Sequence, residues 1–285
     1  MFKKLICSIL CASLLFSTTI AFADIVGHIY KTDIKAYENY IQIPSYNCGG
    51  TTVIFARDLE NYGYDVLWNA EKERVDIKKK PDKKWTPMPP LPNDGEPVGK
   101  VLFDIYDTNI KTYFEGKLVT SYNIGGKTAI TFRSIDAKNT IKFDNKKKTA
   151  MLFTKDISLS DKEKEHISYF YDILDIISTL EHDIEAGYEM AKNKSFNKTL
   201  MEKLNLSHLT LTEKMEEFKE YSEPSIFSKS SMEIWWAMVN IDMAANMIKS
   251  SWNIFTDEDM LVFQRYMTDF SAQRQKSLTL LSSEF

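Results

Sequence analysis

Three groups of side chains in this chain have the types and spacing that chemistry would need. The first is acidic. Glu181, Glu185 and Glu189 stand four apart, with His182 and Asp183 beside them, and Glu163 and His166 hold the i, i+3 spacing used in di-iron helical bundles. Such a centre needs that pair on two helices and a Glu from each of two more. The chain offers one pair, so the stripe reads as a solvated acidic face. The second group is soft. Nine of the twelve methionines lie in residues 156–285, among them Met232, Met238, Met243 and Met247. Clustered thioethers select Cu(I), but Met within helices fills cores, and Trp235, Trp236 and Trp252 nearby fit packing or a partner groove. The third is a turn motif, Asn-x-Gly-Gly-x-Thr, present as Asn47, Gly49, Gly50, Thr52 and again as Asn123, Gly125, Gly126, Thr128. Ahead of a helix, its backbone N–H groups would hold a carboxylate or phosphate. The plainer alternative is a turn that needs glycine, and the motif lacks the Lys of a phosphate loop.

No nucleophile is paired with a base by motif. Gly-x-Ser-x-Gly and His-Glu-x-x-His are absent, and His28, His166, His182 and His208 are scattered. Cys48 has no neighbouring His and aligns with Ile124 of a second copy of its segment, so it reads as a small apolar residue. The residues therefore point to a non-catalytic protein with no metal and no cofactor.

The elements that would position these groups come in duplicate. Residues 45–59 and 121–135 agree at eight of fifteen positions at an offset of 76, and the offset also pairs Tyr30 with Tyr106, Lys35 with Lys111 and Tyr37 with Tyr113. Each copy reads as β-β-α-β-β. In the first, strands run over 27–37 and 41–46. Thr51 or Thr52 caps a short helix carrying Val53, Ala56, Leu59 and Tyr62, Gly63 ends it in a left-handed residue, and strands 64–68 and 73–78 pair across Asn69-Ala70. In the second, Asn139 replaces Gly63, Phe143 matches Trp68 at offset 75, and Asp144-Asn145 forms the turn. Six of eight prolines fall in 81–97, an extended linker in which Trp85 docks on one module.

From about 158 the period becomes helical. Ile167, Phe170, Leu174, Ile177, Leu180, Ile184, Tyr188 and Ala191 form one stripe, in which Gly187 costs roughly 1 kcal/mol against Ala. Leu200, Leu204, Leu211, Met215 and Phe218 form a second. Ile234, Ala237, Met238, Ile241, Ala245 and Ile248 form a third, capped by Ser230 or Ser231. Thr256 and Asp259 make a capping box for a fourth. Four such helices with short joints imply an antiparallel four-helix bundle.

The N-terminus has the form of a secretory signal: Lys3-Lys4, an apolar run from Leu5 to Ile20, and Ala21-Phe22-Ala23 as a small-x-small cleavage site. With the leader removed, no transmembrane span and no disulfide framework are expected, since only Cys48 remains. Residues 24–155 hold 21 Lys+Arg against 17 Asp+Glu, and residues 156–285 hold 13 against 23. Lys78–Lys80 with Lys83-Lys84, and Lys146–Lys148, are solvated turns or contacts to an anionic envelope polymer. An exported chain with a sequence pI near 5.7 is not expected to bind nucleic acid.

Asp33-Ile34-Lys35-Ala36-Tyr37, Ile43-Pro44-Ser45-Tyr46-Asn47-Cys48-Gly49-Gly50-Thr51-Thr52, Asp58-Leu59, Tyr62-Gly63-Tyr64-Asp65-Val66 and Trp68-Asn69 carry a family likeness. This stretch resembles the copper amine oxidase N-terminal-like domain, or stalk domain, of exported bacterial proteins. The likeness covers 33–77 and, more weakly, 109–152, where counterparts of Pro44, Gly63 and Trp68 are missing. It does not reach the helical region. It implies an α+β accessory module outside the cell and no oxidase activity. Copper amine oxidase chemistry needs three His on copper and a quinone from Asn-Tyr-Asp/Glu, whereas Asn39-Tyr40 and Asn61-Tyr62 are followed by Ile41 and Gly63.

The reading that results is α+β, with a signal peptide at 1–23, repeat modules at 24–80 and 98–155 joined by a Pro-rich linker at 81–97, and a helical bundle at 156–285. Its function would be binding or scaffolding. The modules would engage a cell-wall or envelope component, and the bundle would present a surface to a protein partner. The alternatives are an enzyme with its site between bundle and modules, or a copper-handling protein.

Overall fold

Short runs rich in β-branched and aromatic residues, punctuated by glycine and Asx turns, build the first half of the molecule. The computed structural model describes residues 24–136, 140–155 and 157–284. The predicted leader 1–23 and the predicted cap Asn139 lie outside these. The described chain is mixed α+β, with fourteen strands and four long helices. The first repeat contributes β1 (Ile25–Tyr30), β2 (Lys35–Glu38), β3 (Ile41–Ile43), β4 (Tyr46–Cys48), β5 (Thr51–Phe55), a 3₁₀ turn (Arg57–Tyr62), β6 (Tyr64–Asn69) and β7 (Arg74–Lys79). The second contributes β8 (Val101–Tyr106), β9 (Lys111–Phe114), β10 (Lys117–Val119), β11 (Ser121–Asn123), β12 (Thr128–Thr131), a 3₁₀ turn (Phe132–Ile135), β13 (Lys142–Asp144) and β14 (Thr149–Leu152).

The helix expected from Thr51 is a correction. Thr51-Thr52-Val53-Ile54-Phe55 is strand, and only the 3₁₀ turn follows it, ended by Gly63 at φ 84°. Five β-branched or aromatic residues in succession favour a pleated, buried surface over a helical turn.

Pairing also departs from two self-contained modules. Six strands, in the order β1-β4-β5-β12-β11-β8, close a barrel drawn from both repeats. The last hairpin of each repeat leaves its own copy and joins the other. β7 runs parallel to β9 in the sheet β10-β9-β7-β6, and β14 runs parallel to β2 in the sheet β13-β14-β2-β3. The registers match between copies: Arg74 pairs with Lys111 as Thr149 pairs with Lys35, and Ile77 with Phe114 as Leu152 with Glu38. Two cross-strand pairs join residues 76 apart, His28 with Asp104 and Ile54 with Ile130. They mark where an approximate two-fold axis crosses the barrel. His28 Nδ1 lies 2.9 Å from Asp104 Oδ1.

The helices are α1 (Asp161–Lys192), α2 (Lys198–Glu220), α3 (Ser228–Ser251) and α4 (Asp257–Ser283). Thr256 and Asp259 make the expected capping box, and Ser160 with Glu163 makes another at α1. α3 starts at Ser228 without a side-chain cap, which corrects the assignment to Ser230 or Ser231. Both of those serines are buried, and Ser230 Oγ donates to the Phe227 carbonyl. α1 packs on α2 and α3, and α3 packs on α4. Gly187 permits the first of these contacts, because a Cβ there would stand 3.0 Å from Ile248 Cγ2 and 3.3 Å from Leu204 Cδ2.

One hydrophobic core runs from the sheets into the helices, and a smaller one fills the barrel around Tyr46, Phe55 and Ile105. Tyrosines close the seam. β3 is an edge strand; Tyr171 of α1 accepts from the Gln42 N–H at 2.8 Å, and Tyr62 donates to the Gln42 carbonyl at 2.9 Å. The outward backbone groups of that edge are thus satisfied. The Pro-rich segment is a strap. Thr86 N–H bonds to the Asn61 carbonyl, Gln275 of α4 donates to the Pro87 carbonyl, and the Trp85 indole packs on Gly63 and Tyr62.

Candidate functional site

Both Asn-x-Gly-Gly-x-Thr motifs are hairpin tips, not helix N-termini. Gly49 and Gly50 have φ of 56° and 82°, Gly125 and Gly126 of 65° and 86°, the backbone of a two-residue turn with both central φ positive. Asn47 Oδ1 accepts from the Gly50 N–H at 3.0 Å, and Asn123 Oδ1 from the Gly126 N–H at 3.2 Å. The amides expected to hold an anion are therefore partly used within the turn. Thr52 and Thr128 are ladder residues opposite Asn47 and Asn123. The two tips are not brought together.

Strand pairing puts the second tip to another use. Because β5 pairs with β12, the Ala56 N–H bonds to the Thr128 carbonyl at 2.8 Å, and Gly126, Lys127 and Thr128 come to lie beside the first 3₁₀ turn. Together with Arg57, Asp58, Trp68 and an apolar floor including Val66, Val75 and Ile110, they line an open cleft of about 560 Å³. Trp68 is 51% exposed. Burial pushes the Asp58 carboxyl up to about 6, and Lys127 opposes the shift. Among the described residues, Asp58 makes no side-chain hydrogen bond or salt bridge. The Lys127 ammonium also makes none and lies 5.8 Å from the centre of the Phe55 ring. An aromatic face, a carboxylate and an ammonium, all uncommitted, therefore share one cleft. At the two-fold counterpart, offset 76 and then 75, the same places hold Phe143, Ser134 and Thr51. Phe143 is 52% exposed, but the two charges are gone. Trp68, Asp58 and Lys127 were not singled out from sequence as a site, since they come from three elements and two repeats.

The other chemical groups resolve into packing. Glu163 is the capping residue of α1, its carboxyl held below the usual range by bonds from Ser160. His166 is core, stacked on Phe227 and Tyr221, and burial lowers its imidazole to about 4. Glu181 takes a bidentate bond from Arg274 of α4. Among the described residues, no group of three or more His, Cys, Asp or Glu is placed to hold a metal ion. Met238 is buried and Met247 packs on the core, whereas Met232 and Met243 are exposed with Trp236. Cys48 is half-buried against the barrel core; burial, then the Cys48 side chain, raises the Tyr122 hydroxyl. Glu38 is fully buried beneath Tyr64 and Thr154, and burial raises its carboxyl against the pull of those bonds. No described helix is long and apolar enough to cross a membrane.

A second recess lies where the first repeat, the strap, α1 and α2 meet. Its volume is about 680 Å³. Its charged groups are matched in pairs, Lys35 with Asp175 and Lys31 with Asp94, and its lining includes no His or Cys. Ser207 at its margin bonds to Asp183.

Comparison with family models, curated proteins and solved structures gives no match for this chain.

Proposed function

We propose that the protein is an exported, non-catalytic binding or scaffolding protein of the cell envelope, and that the Trp68–Asp58–Lys127 cleft is where its β half engages an envelope polymer. The leader-like residues 1–23 support export. The likeness of residues 33–77 to the stalk domain of exported bacterial proteins supports an accessory role. Duplication of one unit accounts for the matched registers, with the exchanged hairpins locking the copies into a single body. The four helices are read as an antiparallel bundle that presents a surface to a protein partner.

The observation that carries the proposal is the cleft's set of free groups. An exposed indole offers a flat amphipathic face, and a half-buried carboxylate and an ammonium offer hydrogen bonds and charge in a site partly withdrawn from water. These groups suit a polymer bearing hydroxyls and negative charge. The basic clusters Lys78–Lys80, at the end of β7, and Lys146–Lys148 add long-range attraction for the same polymer. An enzyme would have to use the recess between sheets and helices, where the charges are already paired. The test is retention of the leaderless full chain on purified cell wall. Retention that weakens with added salt supports the reading, and a chain that washes through at low salt refutes it.

A further inference from the structure

The approximate two-fold axis presents one sheet face twice, and the helices cover it once. In the sheet β13-β14-β2-β3, Lys142, Met151, Tyr37 and Gln42 stand side by side in a row across the strands. α1 packs on this row. Its Tyr171 meets Tyr37 edge-on and accepts from the Gln42 N–H, and its Asp175 pairs with Lys35. Offsets of 75 and 76 carry the row to Leu67, Asp76, Tyr113 and Leu118, which again stand side by side, in the sheet β10-β9-β7-β6. Lys35 becomes Lys111. The tyrosine and lysine that receive α1 are thus present a second time, but the second row lies open. Tyr37 and Gln42 are 9% and 7% exposed, whereas Leu67 and Leu118 are 55% and 62% exposed.

The open face is chemically specific. Sheet faces left to water are ordinarily polar, yet this row has leucines where the covered row has Lys142 and Gln42. Tyr113 is half-buried between them under the Arg74 guanidinium. Four strands make the row roughly 14 Å across, room for one helix. Its charge is positive. Arg74 is paired with Asp76, and Asp65 with Lys80 and Lys83. Lys78 and Lys111 are exposed, and among the described residues neither pairs with an acid. The complement is a helix with aliphatic and acidic residues on one stripe, as α1 offers Tyr171 and, one turn on, Asp175 to the covered face.

α2 turns such a stripe outward. Glu202, Leu206, Leu209, Glu213, Glu216 and Glu220 recur at three and four, and all are exposed, the two leucines by 67% and 56%. Leu209 and Glu213 keep the one-turn spacing of Tyr171 and Asp175, and among the described residues Glu213 has no cation. The opposite side of α2, with Leu204, His208 and Leu211, is already buried in its own chain. The excess of positive charge in residues 24–155 and of negative charge in 156–285 favours contact between these halves of different molecules.

We propose that the outer face of the sheet β10-β9-β7-β6 seats α2 of a second copy of this chain, with Leu206 and Leu209 against the Leu67–Leu118 row and Glu213 at Lys111. The inference goes beyond wall binding and uses a different surface. Trp68 pairs with Val75, and the period of two puts both on the other face of the sheet.

The test is sedimentation of the leaderless full chain from about 10 µM to about 1 mM, where even a weak interface registers. The weight-average mass should rise with concentration, and added salt should lower it. Leu118→Asp and Leu209→Asp should each weaken association about tenfold or more. Lys111→Glu and Glu213→Lys should each weaken it about fivefold, and the two together should recover most of the loss. All four positions are exposed, so the variants should melt as the wild type does. A chain that remains a single copy at about 1 mM overturns the proposal. So does association that survives either leucine variant, or a double charge reversal no better than the single ones. A single copy that is still retained on cell wall would leave the wall reading standing.

Discussion

Replacing His166 by phenylalanine should remove an acid sensitivity built into the helical core. The imidazole is 1% exposed, lies 4.7 Å from the Phe227 ring and 5.6 Å from that of Tyr221, and stands 3.3 Å from Ser231 Oγ at Nε2, while Nδ1 is buried without a partner. Burial lowers its affinity for a proton from the ordinary 6.5 to about 4. The sign follows from which state takes up the proton first. Below 6.5 the unfolded chain is protonated and the folded one is not, so stability present above 6.5 is lost as the pH falls to about 4, and is flat below that. The fall from 6.5 to about 4 corresponds to roughly 3 kcal/mol. Other groups also titrate in this range, Asp58 among them, but they are common to both proteins and cancel in the difference. Phenylalanine keeps the stacked ring and cannot take a proton. Urea unfolding from neutral pH down to about 4 should therefore show the wild type losing up to roughly 3 kcal/mol relative to His166→Phe. A difference constant to within about 0.5 kcal/mol, the scatter of an innocuous substitution, would mean the imidazole is hydrated or paired in solution and would refute the argument.

Three further substitutions probe the joints of the fold. Gly63→Ala places a Cβ at φ 84° and 2.7 Å from Trp85 Nε1; it should cost roughly 2 kcal/mol or more and shift the Trp85 fluorescence to the red, whereas unchanged stability and emission would show that the strap does not rest there. Tyr171→Phe strands the outward N–H of Gln42 on the β3 edge and should cost about 1–3 kcal/mol; hydrogen exchange at the Gln42 amide should quicken, and an unaltered rate would refute the capping role. Asp58→Asn removes a carboxylate whose affinity for protons is raised, so the charged form costs stability above about 6. The variant should be more stable than wild type at pH above that value, by on the order of 1–2 kcal/mol once partial exposure is discounted, with the gain fading as the pH falls from about 6 to the ordinary carboxylate value and absent below it; a gain that grows in acid would reverse the assignment.

What sequence could and could not show follows from the range of each interaction. The 3.6-residue stripe from Ile167 to Ala191 and the Thr256–Asp259 cap are local, and the helices stand where they were expected. Gly63 was legible for the same reason, since only the left-handed turn matters. The run Thr51–Phe55 carried its own strand signal in five β-branched or aromatic residues, a stronger preference than that of one Thr for a helix cap. The exchange of hairpins was not legible. β7 and β9 pair in parallel between residues 37 positions apart, and a strand's pattern records which face is buried, not which neighbour buries it. The Trp68 cleft depends on a second pairing between the repeats, in the barrel, because β5 must reach β12 before Lys127 can stand near Asp58.

The binding isotherm of Trp68→Ala on purified cell wall, beside that of the wild type, tests the central claim most directly. Trp68 is half exposed and its loss should leave the melting temperature almost unchanged. The indole face is the cleft's largest contact, and aromatic anchors in binding sites commonly cost about 2 kcal/mol or more when truncated, so affinity should fall more than tenfold. Superimposable isotherms would contradict the account and move wall contact away from this cleft.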